Sequence, residues 1–219
     1  MPPRNRSSKP LRLLFIGNSF TARNDLPGLI SQVAAARSKS VEHQLIFAGG
    51  ASLRAHWNSG GAQKTIEGGS YDYVVLQEQS TLPIKNAARM HENIRLFDEV
   101  INRSGAKTLL YMTWARANAG ESQQAISDAY ISIGSELGAS VVPVGNAWHA
   151  FLQKHDHPLL HDRDQSHPTL AGSYLAACVF FSILFHESPV GTRDDGVDLT
   201  PKDQAALQRV AWRTCKSMA

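Results

Sequence analysis

The chain has 219 residues, 42% of them hydrophobic and 19% charged, with a formal net charge of +3. That length and apolar content suit one globular domain with a sizeable core, and they exclude a chain that is disordered beyond its ends. The small charge excess, without a dense basic run, argues against nucleic acid as a partner, and two cysteines without metal or redox spacing, Cys178 and Cys215, fit a reducing, cytoplasmic setting.

Residues 1–10 are basic and proline-containing and lack the apolar core of a signal peptide, so they are expected to form a loose tail ahead of a single domain over 11–219. Leu13 to Ile16 is an apolar run of strand length that breaks at Gly17 into the polar turn Asn18-Ser19. Asp25-Leu26-Pro27 opens a helix with Leu29, Ile30, Val33 and Ala34 at helical spacing. Val41 to Ala48 is the second strand and ends at Gly49-Gly50. Ser52 to Gly69 shows no regular period. Tyr73 to Leu76 is the third strand, and it runs into Gln77-Glu78-Gln79-Ser80.

Met90, Ile94, Phe97 and Ile101 mark one face of a helix from about Asn86 to Arg103, which Ser104-Gly105 stops. Thr108 to Met112 is a fourth strand, Gln123 to Leu137 a helix, and Val141 to Val144 a fifth strand. Pro168 to Phe185 is apolar nearly all round. Gly172, Ser173, Tyr174 and Ser182 interrupt it, so a helix buried on the sheet is expected and no membrane span. Thr200-Pro201-Lys202-Asp203 caps a last helix with Leu207, Val210, Ala211 and Thr214 inward. Repeated strand, helix, strand units imply an α/β fold with a parallel sheet and right-handed crossovers.

In such a sheet the loops after the first three strands open on one edge, where Ser19, Gly50 and the segment Gln77 to Gln79 can converge. A serine hydroxyl is a weak nucleophile until a base takes its proton, and the resulting oxyanion needs fixed donors nearby. His167 is the candidate base. Asp164, three residues earlier in a turn ahead of a helix, is its candidate orienter, with Asp162 as a weaker alternative. The candidate donors are the amides of Ser19 and Gly50 and a carboxamide from Gln77 or Gln79. Should the third strand continue to Gln79, both side chains share a face. Read without chemistry, Ser19 is a helix cap or part of an anion-binding turn.

These pieces resemble the SGNH hydrolases, the GDSL-like esterases: GNSF carries Ser19, AGGASL carries Gly50, and DRDQSHPT carries Asp164 and His167, in the family's order. The third block departs, since LQEQS stands where the family has Gly-x-Asn-Asp; a carboxamide is still offered, and Gln77 is preferred over Gln79. The resemblance implies a flavodoxin-like, three-layer α/β/α fold with a five-stranded parallel sheet, ester hydrolysis through an acyl-enzyme, and no metal or other cofactor. The expected partner is a small-molecule ester, an acetyl ester of a carbohydrate being the leading candidate. The alternative is a ligand- or carbohydrate-binding protein on the same fold that has lost activity.

Trp57, Trp114 and Arg116 lie near strand ends and are candidates to line a substrate pocket. The segment with His155, Asp156, His157, His161 and Asp162 fits no standard zinc spacing and reads as a polar loop. Neither a G-x-G-x-x-G nor a P-loop pattern follows Ser19, which argues against nucleotide binding.

Overall fold

The computed structural model describes residues 9–193 and 196–218, so most of the expected amino-terminal tail lies outside the described residues. Five parallel strands, β1 (Leu11–Gly17), β2 (Val41–Phe47), β3 (Tyr73–Leu76), β4 (Lys107–Tyr111) and β5 (Ser140–Val142), form one sheet in the order β2-β1-β3-β4-β5. In chain order the α-helices are α1 (Ser19–Ala22), α2 (Leu26–Ala35), α3 (Leu53–Ser59), α4 (Gly61–Gly68), α5 (Leu82–Lys85), α6 (Ala87–Ser104), α7 (Gln123–Leu137), α8 (Val144–Leu152), α9 (Leu170–Phe185) and α10 (Pro201–Ser217).

Alternation along the central strands sorts the helices into two layers, because successive side chains of a strand point to opposite faces. Leu13, Phe15, Val75, Leu109, Tyr111 and Val142 face a core built with α2, α8, α9 and α10. Leu14, Ile16, Val74, Leu76, Leu110 and Met112 face the other, built with α3, α4, α6 and α7. This is the expected three-layer α/β/α architecture. β1 sits between β2 and β3, and Leu13 to Ile16 are wholly buried, which explains their unbroken apolar run. The apolar α9 is likewise buried from Ala171 to Ser182, between the sheet and neighbouring helices. Burial of each large side chain there, such as Phe180 or Phe181, contributes about 1.5–3 kcal/mol. Among the described residues, no helix is long and apolar enough to cross a membrane.

The structure departs from the sequence reading in three places. Ser52 to Gly69 is helical, broken into α3 and α4 at Gly60, whose φ of +71° suits a residue without Cβ. The short α5 follows β3 directly. The fifth strand stops at Val142 because Pro143 has no N–H for the ladder, and Val144 already belongs to α8. Elsewhere the ends match within a residue or two, with Asn86 capping α6 through the Arg89 amide and Thr200 capping α10 through the Asp203 amide.

Candidate active site

The turn after β1 is held by groups on three sides. Asn18 caps α1 by accepting the Phe20 amide at 3.1 Å, and its side-chain NH₂ donates to the Ala51 carbonyl at 3.0 Å, tying the turn to the loop that holds Gly50. The Asn18 amide donates to Gln77 Oε1 at 2.8 Å, and the Thr21 hydroxyl donates to the same oxygen at 3.1 Å. Gly17 permits this approach, since a Cβ there would lie 2.7 Å from both Gln77 Oε1 and Thr21 Oγ1. The Gly17 carbonyl accepts Nε2 of the buried His56 at 2.8 Å. Ser19 is thereby presented as the first residue of α1, with its own amide free of any acceptor among the described residues.

Ser19 Oγ lies 2.8 Å from His167 Nε2, and His167 Nδ1 lies 2.5 Å from Asp164 Oδ2. A carboxylate only accepts, so Nδ1 carries the proton, and Nε2 is left to accept from the serine hydroxyl. The other carboxylate oxygen of Asp164 accepts the amides of Ser166, at 3.0 Å, and His167, at 2.9 Å. The His167 side chain, with its backbone N–H and that of Ser166, holds the Asp164 carboxyl well below the usual carboxylate range. Asp162 turns elsewhere: it pairs with Arg23 at 2.9 Å and accepts the Arg163 amide at 2.7 Å. The histidine loop is joined to the serine segment a second time, because Asn24 donates to the Pro168 carbonyl at 3.1 Å and to Ser173 Oγ at 2.9 Å.

The two glutamines have different surroundings. Gln77 is buried, its oxygen is taken by the serine turn, and its NH₂ donates to the Glu78 carbonyl. The hydrogen bonds reverse the preference for Gln77 over Gln79, since the Gln77 oxygen is held by the serine turn and one of its two N–H groups by the Glu78 carbonyl. Gln79 uses only its oxygen, which accepts the Thr81 amide and hydroxyl, both at 2.9 Å, and the Leu82 amide at 3.1 Å at the start of α5. Its NH₂ has no acceptor among the described residues. Gly50 follows β2 with φ +65°, exposed, and its amide also has no acceptor among the described residues.

Trp114 is buried, with its indole N–H donating to the Ser166 carbonyl at 3.0 Å. It stacks on Trp148 at 3.8 Å and on Phe20 at 4.8 Å, and Phe20 in turn lies 5.4 Å from the His167 ring. The expected pocket residue is thus mainly a brace behind the histidine loop, with part of its surface on a cleft. Trp57, half-buried, sets its ring edge-on against Phe97 of α6 at 5.2 Å and packs against the core on the α3 side. Arg116 is exposed and lines, with Ser80, Thr81, Lys85 and Trp114, a cleft of about 270 Å³ between the loops after β3 and β4.

The polar loop before Asp164 is occupied locally. His161 donates to the Ala115 carbonyl at 3.0 Å, burial pushes its pKa down, and His155 stacks on Phe151 at 4.6 Å. A larger cavity, about 630 Å³, lies at the opposite edge of the sheet, where Tyr73 and Ser140 begin their strands and α9 and α10 end. It is apolar and remote from Ser19. The chemistry, not the size, locates the site at the carboxyl edge.

Sequence reading missed Asn18, Asn24, His56, Glu78 and Asn93, which support the site from beneath. Asn18 carries a recognisable signal as an N-cap residue ahead of a helix. The others act across distant parts of the chain and leave no local pattern.

No family model and no curated protein sequence matches the chain. Solved structures do. A DUF4886 family protein from Bacteroides uniformis superposes with a TM-score of 0.74 at 20% identity, covering 95% of each chain. A protein from Slackia heliotrinireducens, proposed to be an SGNH hydrolase, gives 0.70 at 23% identity over 80% of this chain and 100% of its own. An acetyl-xylooligosaccharide esterase from Geobacillus stearmophilus gives 0.63 at 15% identity over 84% and 98%. This chain has the fold of the SGNH hydrolases.

Proposed function

We propose that the protein is a serine esterase that hydrolyses small acyl esters through an acyl-enzyme on Ser19. The observation that carries this reading is the hydrogen-bonded series Ser19 Oγ, His167, Asp164, in which the carboxylate fixes the tautomer that leaves Nε2 facing the hydroxyl. His167 takes the serine proton as Oγ attacks the ester carbonyl, and the negative charge on the tetrahedral intermediate falls to the amides of Ser19 and Gly50 and the NH₂ of Gln79. Collapse expels the alcohol, which receives the proton from His167. Water, deprotonated by the same imidazole, then attacks the acyl-enzyme and releases the acid, so one ester and one water become one acid and one alcohol.

The cleft that starts at Ser80, the residue after Gln79, suits a small acyl or alcohol group, and the likeness to an acetyl-xylooligosaccharide esterase makes acetylated sugars the first substrates to try. The test is treatment with an organophosphonate ester alongside p-nitrophenyl acetate. Stoichiometric labelling of Ser19, absent in Ser19→Ala, with turnover of the acetate is the expected result. No labelling and no turnover would favour a binding protein on this fold.

A further inference from the structure

Glu78 is fully buried, although no step of the proposed reaction uses it. Its Oε1 accepts two backbone amides, Leu53 at 2.9 Å and Gln79 at 2.7 Å. Its Oε2 accepts the Asn93 NH₂ at 2.8 Å, and the Asn93 oxygen accepts Arg54 Nε at 2.9 Å. Leu53 opens α3, three residues beyond Gly50 across the turn that the Ala51 amide closes on Ala48. The Gln79 amide belongs to the residue whose carboxamide NH₂ has no acceptor among the described residues. One carboxylate oxygen therefore gathers the two loops that flank the serine turn.

We infer that Glu78 is a positioning residue whose carboxylate sets the spacing between the Gly50 amide and the Gln79 carboxamide. This rests on the esterase reading above. A buried carboxylate is a poor device for stability alone, since desolvation offsets most of what its hydrogen bonds return. Consistent with that cost, burial raises the Glu78 pKa, against the lowering effects of Asn93, the two amides and His56. What the carboxylate supplies is direction: neither loop can shift without leaving a buried amide or a buried charge unpaired. Oxyanion donors act only when fixed before the charge develops, so a few tenths of an ångström at this pin matter more to the transition state than to bound substrate.

The test compares Glu78→Gln, Asn93→Asp and the double variant, with kcat expressed per site titrated to completion by phosphonate, and with KM and melting temperature measured alongside. In Glu78→Gln the new NH₂ faces that of Asn93, donor against donor. In the double variant the carboxylate introduced at position 93 accepts both from the carboxamide introduced at position 78 and from Arg54, restoring every bond. The expected result is a kcat per site lowered about 10- to 100-fold in Glu78→Gln with KM changed less than about threefold, and recovery to within about threefold of wild type in the double variant. A lower melting temperature with unchanged kcat per site, or a double variant that folds without recovering, overturns the inference. If Glu78→Gln yields no folded protein, the double variant decides: kcat within about threefold of wild type supports the pin, and a larger loss overturns it. A wild-type protein that neither labels nor turns over overturns the esterase reading and this inference with it, whereas an active wild type with indifferent variants overturns the inference alone.

Discussion

Trp114 hands its indole N–H to the carbonyl of Ser166, the residue immediately before His167. The aromatic wall of Trp148, Trp114 and Phe20 is thus coupled to the imidazole through one backbone bond and one ring contact. Trp114→Phe keeps most of the stacking and removes the bond, which is worth about 1 kcal/mol. The expected outcome is a kcat for p-nitrophenyl acetate reduced roughly threefold to tenfold, with KM nearly unchanged, because the loss falls on the aim of the base. A KM effect without a kcat effect would return Trp114 to the pocket wall.

Ser19→Ala and His167→Ala are each expected to lower kcat by about 10⁴- to 10⁶-fold, and Asp164→Asn by less, because the three act as a unit. Circular dichroism should show the folded state retained in all three. A His167→Ala variant with more than about a tenth of wild-type activity would remove the general-base assignment.

Gln79→Ala is expected to cost about 10² to 10³ in kcat with little change in KM, the signature of a lost oxyanion donor. Gln77→Ala should show itself first in melting temperature. It strips the Asn18 amide and the Thr21 hydroxyl of their acceptor in a buried setting, at about 1–3 kcal/mol for each unsatisfied group. Equal melting temperatures for wild type and Gln77→Ala would contradict this division of roles.

Arg116 and Lys85 line the cleft with Ser80, Thr81 and Trp114, and neither has an acidic partner among the described residues. Arg116→Gln should therefore raise KM for an ester bearing a carboxylate, such as p-nitrophenyl hemisuccinate, by about threefold to tenfold. It should leave KM for the neutral acetate alone, with the difference shrinking as salt is added. Equal changes for both substrates would place Arg116 outside the binding cleft.

The depressed Asp164 carboxyl gives a pH prediction with a definite sign. A carboxyl whose pKa is lowered on folding contributes stability above its ordinary value, and that contribution fades as pH falls through the ordinary carboxylate range and below. Melting temperatures of wild type and Asp164→Asn should therefore differ at neutral pH and converge in acid. Because the Asp164 side chain is 44% exposed, the gap should be small and should narrow with salt. A gap that widens in acid would show the opposite sign.

Ser19, Asp164 and His167 could be picked out in the sequence because each sits in a short local motif: strand then turn, or Asp-x-x-His ahead of a helix. The sheet was legible for a similar reason, since β1, β3 and β4 are apolar runs set by burial on both faces. What was not legible depends on where a strand ends. β3 stops at Leu76, so Gln77 and Gln79 leave strand geometry and diverge, one turning under Asn18 and the other accepting the Thr81 and Leu82 amides at the start of α5. The helix α8 was hidden because Pro143 and Val144 extend the apolar look of β5, although Val144, Ala147, Trp148 and Phe151 already carry helical spacing. The roles of Glu78 and Asn93 are matters of pairing across the fold, and one-dimensional pattern carries no record of them.

The contact between Ser19 and His167 closes a loop of 148 residues. A connection that long is made late in folding, because the entropy of closing it must be met before the contact returns anything. On refolding from denaturant, helical signal from α2, α6 and α7 should recover ahead of phosphonate reactivity. The nucleophile would stay inert until α9 docks and brings the histidine loop home, so a partly folded chain exposes apolar helix faces without exposing working chemistry.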